Sequence, residues 1–295
     1  MPQVSLDELN RMDRREFAAA LGGIFEHSPW VAEIVHAARP FPSVGVLYET
    51  MIIAVRNASD ERQSSLIRGH PDLAGKAARE GTLTRDSTRE QASAGLDALS
   101  EQEFADLHRL NTAYREKFAI PFVICVRRHG KDSILRQFER RLRNDAAAER
   151  ETALTEIFRI AALRLDQLVV GPDRLKVHGR LTTHVLDNDR GAPASGVEIE
   201  FCEVAASGQP RTLGRTATNA DGRTAEPLIA ERPIPIAQYE LRFAIGAYFA
   251  RQKTPLADPP FLDIVPIRFA VADPEGHYHV PLLVTPWSYS TYRGS

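Results

Sequence analysis

The sequence predicts two domains of different class, an all-α helical bundle over residues 1–170 and an all-β sandwich over 171–295. Three observations predict this. At 295 residues the chain lies where a single hydrophobic core usually stops growing and a second begins. Over 6–165 apolar residues recur at three- and four-residue spacing among Ala, Arg, Glu and Leu, the period of an amphipathic helix. After the turn-rich junction Val169-Val170-Gly171-Pro172-Asp173 the pattern changes to alternation with β-branched residues.

The elements follow in order. Ser5 and Asp7 are candidate caps for a first turn, and Asp13-Arg14-Arg15-Glu16 opens a second helix with the stripe Phe17, Ala20, Leu21 and Ile24. Pro29, Pro40 and Pro42 punctuate the next helices, since proline lacks the N–H that a helix interior needs. A longer helix is expected from 43 into the region of 60, with others over 86–99, 101–118, 133–143 and 146–168. No stretch of this half alternates with period two. Strands are expected over 175–186, 196–204, 212–218, 238–246, 264–272 and 278–285, with one short helix over 247–253.

Charge and cysteine usage narrow the function classes. With 37 basic and 39 acidic residues the net charge is -2, so no global field draws the chain to nucleic acid or a membrane surface. Small neutral or anionic metabolites fit better. Cys125 and Cys202 lie far apart without a CxxC partner and are expected as reduced thiols. The charged N-terminal stretch lacks the apolar core of a signal peptide, and no run is long enough to cross a bilayer, so a soluble cytoplasmic protein is expected.

In the first half, Gly69-His70-Pro71-Asp72-Leu73-Ala74-Gly75-Lys76 interrupts the helices, and Pro71 biases His70 away from helical angles. A histidine on such a loop is a candidate acid or base, although most loop histidines are merely exposed or satisfied. Ser87, Glu90 and Gln91 share one helical face at i, i+3 and i+4. Ser87-x-x-Glu90 is equally the pattern of a capping box, which would spend both side chains on the helix backbone. Arg164 continues the stripe Ile157, Ile160, Ala161 and Leu168, so a permanently charged group points where apolar neighbours point and must find an anion, from this domain or from a substrate.

GHPDLAGK, SxxEQASAGLD, KFAIPFVIC and IAALRLDQLV, in that order over 6–168, resemble 2-oxo-4-hydroxy-4-carboxy-5-ureidoimidazoline (OHCU) decarboxylase, the last enzyme of urate breakdown to (S)-allantoin. The resemblance implies His70 and Glu90 as the catalytic pair. It implies that Pro71, Ser87, Gln91 and Arg164 line the substrate site and that Phe122, Val123 and Ile124 offer backbone groups. It favours a catalytic Glu90 over a capping one, and implies no metal or organic cofactor.

In the second half, His277, His279, Pro281 and Leu283 fall on one face of the terminal segment HYHVPLLVTPWSYSTYRGS. His184 shares a face with Thr182 and Leu186, and Arg223 leaves the turn Asn219-Ala220-Asp221-Gly222. Taken singly, each reads as an ordinary structural or solvated residue. Together LTTHVLD, GAPASGVEIEF, TNADGRTAEPL and the terminal YRGS resemble 5-hydroxyisourate hydrolase of the transthyretin-like family over 175–295, YRGS being what separates the hydrolase from hormone-carrying transthyretins. The match implies catalytic roles for His184, Arg223, His279 and Ser295, with Tyr292 binding substrate beside them and His277 less certain.

The two resemblances belong to consecutive steps of one pathway and imply a bifunctional enzyme acting on purine-derived substrates. They also imply a homo-oligomer, a tetramer through the sandwich with dimer contacts through the helical half. Two other readings compete. A ligand-carrying sandwich with a helical interaction module would be expected to have a more apolar pocket than His184, Arg223 and His279 provide. A zinc hydrolase could take His184, His277 and His279 as ligands, but no carboxylate obviously completes the set.

Overall fold

The computed structural model describes residues 3–73, 84–93, 95–96 and 99–294; Ser295 and, in the expected loop, Ala74, Gly75 and Lys76 lie outside the described residues. The chain divides into two compact units, Met1–Arg127 with Ser133–Val177 and Arg128–Asp132 with His178–Ser295. Residues 171–178 carry neither helix nor strand, and Val177 is buried in the core of the first unit.

The first unit is helical, and its ends are set by side chains. Ser5 and Asp13 each form a capping box, with Glu8 and Glu16, ahead of Leu6–Arg11 and Arg14–Leu21; Asp7 lies inside the first turn and caps nothing. The long helix expected from 43 is two, Val44–Arg56 and Asp60–Arg68. Ser59 caps the second, and the buried Gln63 amide donates to the carbonyls of Val55, Arg56 and Ala58, satisfying the end of the first. The helices Glu101–Phe118 and Ala146–Leu168 keep the expected bounds. Ala146–Leu168, started by the Asp145 carboxylate, is buried around much of its circumference through Ala153, Leu154, Ile157, Phe158, Ala161 and Leu165. It is the centre of the bundle. The expectation of no strand here needs one correction: Val4–Ser5 pairs in parallel with Val169–Val170, a two-residue ladder too short to leave a periodic trace.

The second unit holds two sheets. In one, Gly179–Asp187 runs parallel to His277–Val284, which Tyr289–Thr291 extends antiparallel, while Ala192–Pro193 and Ile229–Arg232 pair on Gly179–Asp187. The other, entirely antiparallel, has the order Pro210–Ala217, Glu198–Val204, Ala237–Ala244, Ile264–Val271. Leu181, Val185, Phe201, Leu241, Phe243, Val265 and Leu282 belong to its core. Gly179–Asp187 alternates strictly, with Leu181, Thr183 and Val185 buried and Thr182, His184 and Leu186 on the opposite face. Ile229–Arg232 was not expected as a strand, being short and enclosed by prolines, and the short helix begins slightly early, at Ile245–Arg251.

Arg141 and Glu149, 1% and 0% exposed, form a buried ion pair at 2.6 Å that Asn144 and Tyr114 complete by donating to the same carboxylate. Removing one partner of such a pair strands the other charge away from water. Glu149→Leu is therefore expected to destabilise the helical unit by about 3–5 kcal/mol, and Arg141→Met with Glu149→Leu by less, as read from urea denaturation followed by helical circular dichroism. Equal losses for the single and double variants would contradict this.

Candidate active sites

In the helical unit His70, Pro71, Ser87, Glu90, Gln91, Phe122, Val123, Ile124 and Arg164 line one cavity, with Leu73, Val126 and Ile160 as apolar wall. All the expected residues of this half meet there. Four segments bring them together: the exit of the helix Asp60–Arg68, the helix Arg85–Ser93, the run 122–124 that follows Glu101–Phe118, and the central helix Ala146–Leu168. Gly69 ends the first of these at φ −67°, a conformation open to any residue.

His70 is 6% exposed. Its Nδ1 lies 3.0 Å from the Leu66 carbonyl, which only accepts, so Nδ1 carries the proton. Nε2 is then a bare acceptor, buried and without a partner among the described residues. Burial lowers the pKa to about 4, assisted by Arg164 and His27 and opposed by the Leu66 carbonyl and Glu26. The imidazole is neutral at ordinary pH.

Arg164 lies between two carboxylates. Its Nε and Nη2 donate to the two oxygens of Glu90, both at 2.9 Å, and Nη1 donates to Glu26 at 2.7 Å and to the Gly23 carbonyl at 3.3 Å. Burial alone would lower its pKa; Glu90 and Glu26 outweigh that and raise it. Burial likewise pushes the Glu26 carboxyl up, and Arg164 and Thr84 more than reverse it. The anion demanded by Arg164 is thus supplied twice from within the domain. Glu26, 3% exposed, was missed by sequence reasoning because nothing in Phe25-Glu26-His27-Ser28-Pro29 marks it beyond a charge among apolar neighbours.

The capping box considered at Ser87-x-x-Glu90 does not form. Thr84 caps this helix, accepting from the Ser87 N–H at 3.3 Å, and the Ser87 hydroxyl donates to Glu26 at 3.1 Å. Gln91 ties the helix to the His70 loop through the Asp72 carbonyl at 3.4 Å. The extended run Phe122 to Ile124 is held from behind: Arg141 donates to the Val123 carbonyl at 2.7 Å and the Cys125 N–H donates to the buried Glu156 at 2.9 Å. The Phe122 ring packs on Tyr114 and Phe138, leaving its backbone to the cavity.

In the β unit, strand register places His279 opposite Thr182 and Pro281 opposite His184. Arg223 pairs with His184 through an isolated antiparallel bridge, positioned by Asn219, whose side-chain oxygen accepts from the N–H groups of Asp221 and Arg223. Burial lowers the pKa of both His184 and His279. Arg223 lowers both further, so its charge bears on the two rings together. His184 Nε2 is buried without a partner among the described residues, and Arg223 is exposed with no ion pair among them. The Thr182 hydroxyl lies 2.9 Å from His279 Nδ1 and 3.4 Å from His277 Nε2, and so links the two histidines. Its signal in the sequence was its place on the His184 face.

The terminal segment is ordered along the strand that carries His279. Thr291 donates to the Pro281 carbonyl at 2.8 Å, the Arg293 guanidinium stacks on Tyr278, and the Gly294 N–H donates to the His279 carbonyl at 2.9 Å. A Cβ on residue 294 would come within 2.7 Å of the His279 ring, so only glycine fits. Tyr292 is 58% exposed, and Ser295 lies outside the described residues. Among the described residues no group of three His, Cys, Asp or Glu is placed to hold a metal ion, the three histidines considered for zinc included, and no helix is long and apolar enough to cross a membrane.

The family described as OHCU decarboxylase matches residues 10–166, and the HIUase/transthyretin family matches residues 181–294. A 2-oxo-4-hydroxy-4-carboxy-5-ureidoimidazoline decarboxylase of Haloferax volcanii is 44% identical over 165 residues, covering 56% of this chain and 96% of that protein. A 5-hydroxyisourate hydrolase of Deinococcus radiodurans is 54% identical over 119 residues, covering 40% of this chain and 98% of that protein. The crystal structure of (S)-allantoin synthase aligns over 99% of this chain and 100% of its own, with 33% identity and a TM-score of 0.51. This chain therefore belongs to the OHCU decarboxylase family through its helical half and to the HIUase/transthyretin family through its β half.

Proposed function

We propose that the chain is a bifunctional, cytoplasmic enzyme of urate breakdown. The domain over 171–295 hydrolyses 5-hydroxyisourate to OHCU, and the domain over 1–170 decarboxylates OHCU to (S)-allantoin. The observation that carries this is the union of two such families in one chain, along which the solved (S)-allantoin synthase aligns from end to end. Joining the domains raises the concentration of an unstable intermediate near the second site.

For decarboxylation, the bare Nε2 of His70 accepts the hydrogen bond of the substrate hydroxyl. The bond to the carboxylate breaks, carbon dioxide leaves, and the electron pair passes into the heterocycle before one ring carbon is protonated. Among the described residues Arg164 donates four hydrogen bonds of the five its guanidinium can make, and the remaining N–H on Nη2 can take a substrate oxygen. Glu90 and Gln91 hold the ring for protonation on one face.

For hydrolysis, neutral His184 and His279 hold and deprotonate a water, and Arg223 stabilises charge on the carbonyl oxygen as the cyclic amide opens. Ser295 and Tyr292 complete the site, the exposed Tyr292 being covered by a neighbouring copy in a tetramer formed through the β domain, with dimer contacts through the helical domain.

His70→Ala and Glu90→Gln are each expected to slow formation of (S)-allantoin about 10²- to 10⁴-fold, followed by circular dichroism with freshly generated 5-hydroxyisourate. Wild-type rates in both would refute the pair. Because the His70 pKa is lowered to about 4, the ring is neutral above that value, so kcat/KM for decarboxylation should hold as pH falls through about 6.5 and decline only near 4. A limb at the ordinary histidine pKa would count against a buried base. Deleting residues 292–295 should abolish hydrolysis and leave the β-sheet spectrum unchanged; a truncated chain that still hydrolyses would overturn the hydrolase site.

A further inference from the structure

We propose that Glu26 is a positioning residue for decarboxylation: it fixes Arg164 from behind the cavity, so that the guanidinium keeps its place when Glu90 exchanges it with the substrate. The proposal rests on the decarboxylase reading above. Glu26 and Glu90 meet Arg164 on different edges, Glu26 at Nη1 and Glu90 at Nε and Nη2. Glu90 lines the cavity and Glu26 does not. The Glu90 edge is therefore the one shared with His70 and the other residues of that cavity.

An arginine held by Glu90 alone would form a closed two-point pair and follow that carboxylate wherever it turned. Glu26 and the Gly23 carbonyl prevent this by gripping Nη1, so the guanidinium plane stays fixed when an anionic substrate displaces Glu90. Glu26 is itself immobile. Its Oε2 takes Arg164, and its Oε1 takes the hydroxyls of Thr84 at 2.6 Å and Ser87 at 3.1 Å.

The same bonds set the polarity of Ser87. With its proton committed to Glu26, Ser87 Oγ can offer only lone pairs to the cavity, which suits the N–H groups of a ureido-substituted ring. Glu26→Gln keeps the shape and an oxygen for Arg164, but its amide donates to Thr84 and Ser87. Ser87 would then be turned from acceptor into donor, and Arg164 would keep only an uncharged acceptor on its Nη1 edge against the charged Glu90.

The test uses the full chain, with OHCU generated in place from 5-hydroxyisourate, and compares Glu26→Gln, Glu26→Asp, Arg164→Lys and the double variant Glu26→Gln with Arg164→Lys. Glu26→Gln is expected to lower kcat/KM about 10- to 100-fold, the cost of misplacing a binding group by a fraction of an ångström. Glu26→Asp, which keeps the charge, should lose less, and it carries the test should Glu26→Gln fail to fold. In the Arg164→Lys background Glu26→Gln should cost clearly less than in the wild-type chain, because the part of its effect that passes through Arg164 is gone and only the part through Ser87 remains. Wild-type kinetics in Glu26→Gln, or the same loss in both backgrounds, would overturn the role of Glu26. An inactive wild-type chain would instead overturn the decarboxylase reading.

Discussion

A guanidinium cannot shed its charge at any pH a cell offers, and Arg164 is 7% exposed on the central helix of the bundle. A charge so far from water persists only where anions are brought to it. That requirement explains why residues distant in sequence, Glu26 and Glu90, converge near the C-terminal end of Ala146–Leu168. It also explains the company they keep: Thr84 and Ser87 serve Glu26, and His70 sits within the same field. The cavity is in effect the solvation shell of one arginine, built from protein groups and left with a gap on one side.

The two sites solve opposite problems with similar side chains. In the helical unit the histidine is buried, its tautomer is set by one carbonyl, and it lines a cavity that has both charged and apolar walls. Such a setting suits a reaction that moves charge into a ring and releases a neutral gas. In the β unit His184 and His279 stand half-buried on a sheet face beside an exposed arginine, with His184 Nε2 itself buried.

Periodicity carried much of the fold into the sequence and left particular pieces out. Helices with long apolar stripes, such as Glu101–Phe118 and Ala146–Leu168, were legible to the residue, because burial on one side repeats many times over. Val4–Ser5 and Ile229–Arg232 were not, since so few residues establish no period. The break at Asn57 to Ser59 depends on the Gln63 amide folding back, a tertiary event that an apolar pattern does not encode. At the sites, motif blocks located His70, Glu90 and Arg164 on one cavity. Glu26 and Thr182 act by contact across elements, and such contacts were beyond any local reading.

Gly294 lies flat against the ring of His279, with no room for a single carbon between them. Neighbouring Tyr289 and Tyr292, both largely exposed in one chain, meet no such wall. Position 294 therefore accepts no side chain without moving an imidazole, while its aromatic neighbours could vary at little cost to the isolated fold.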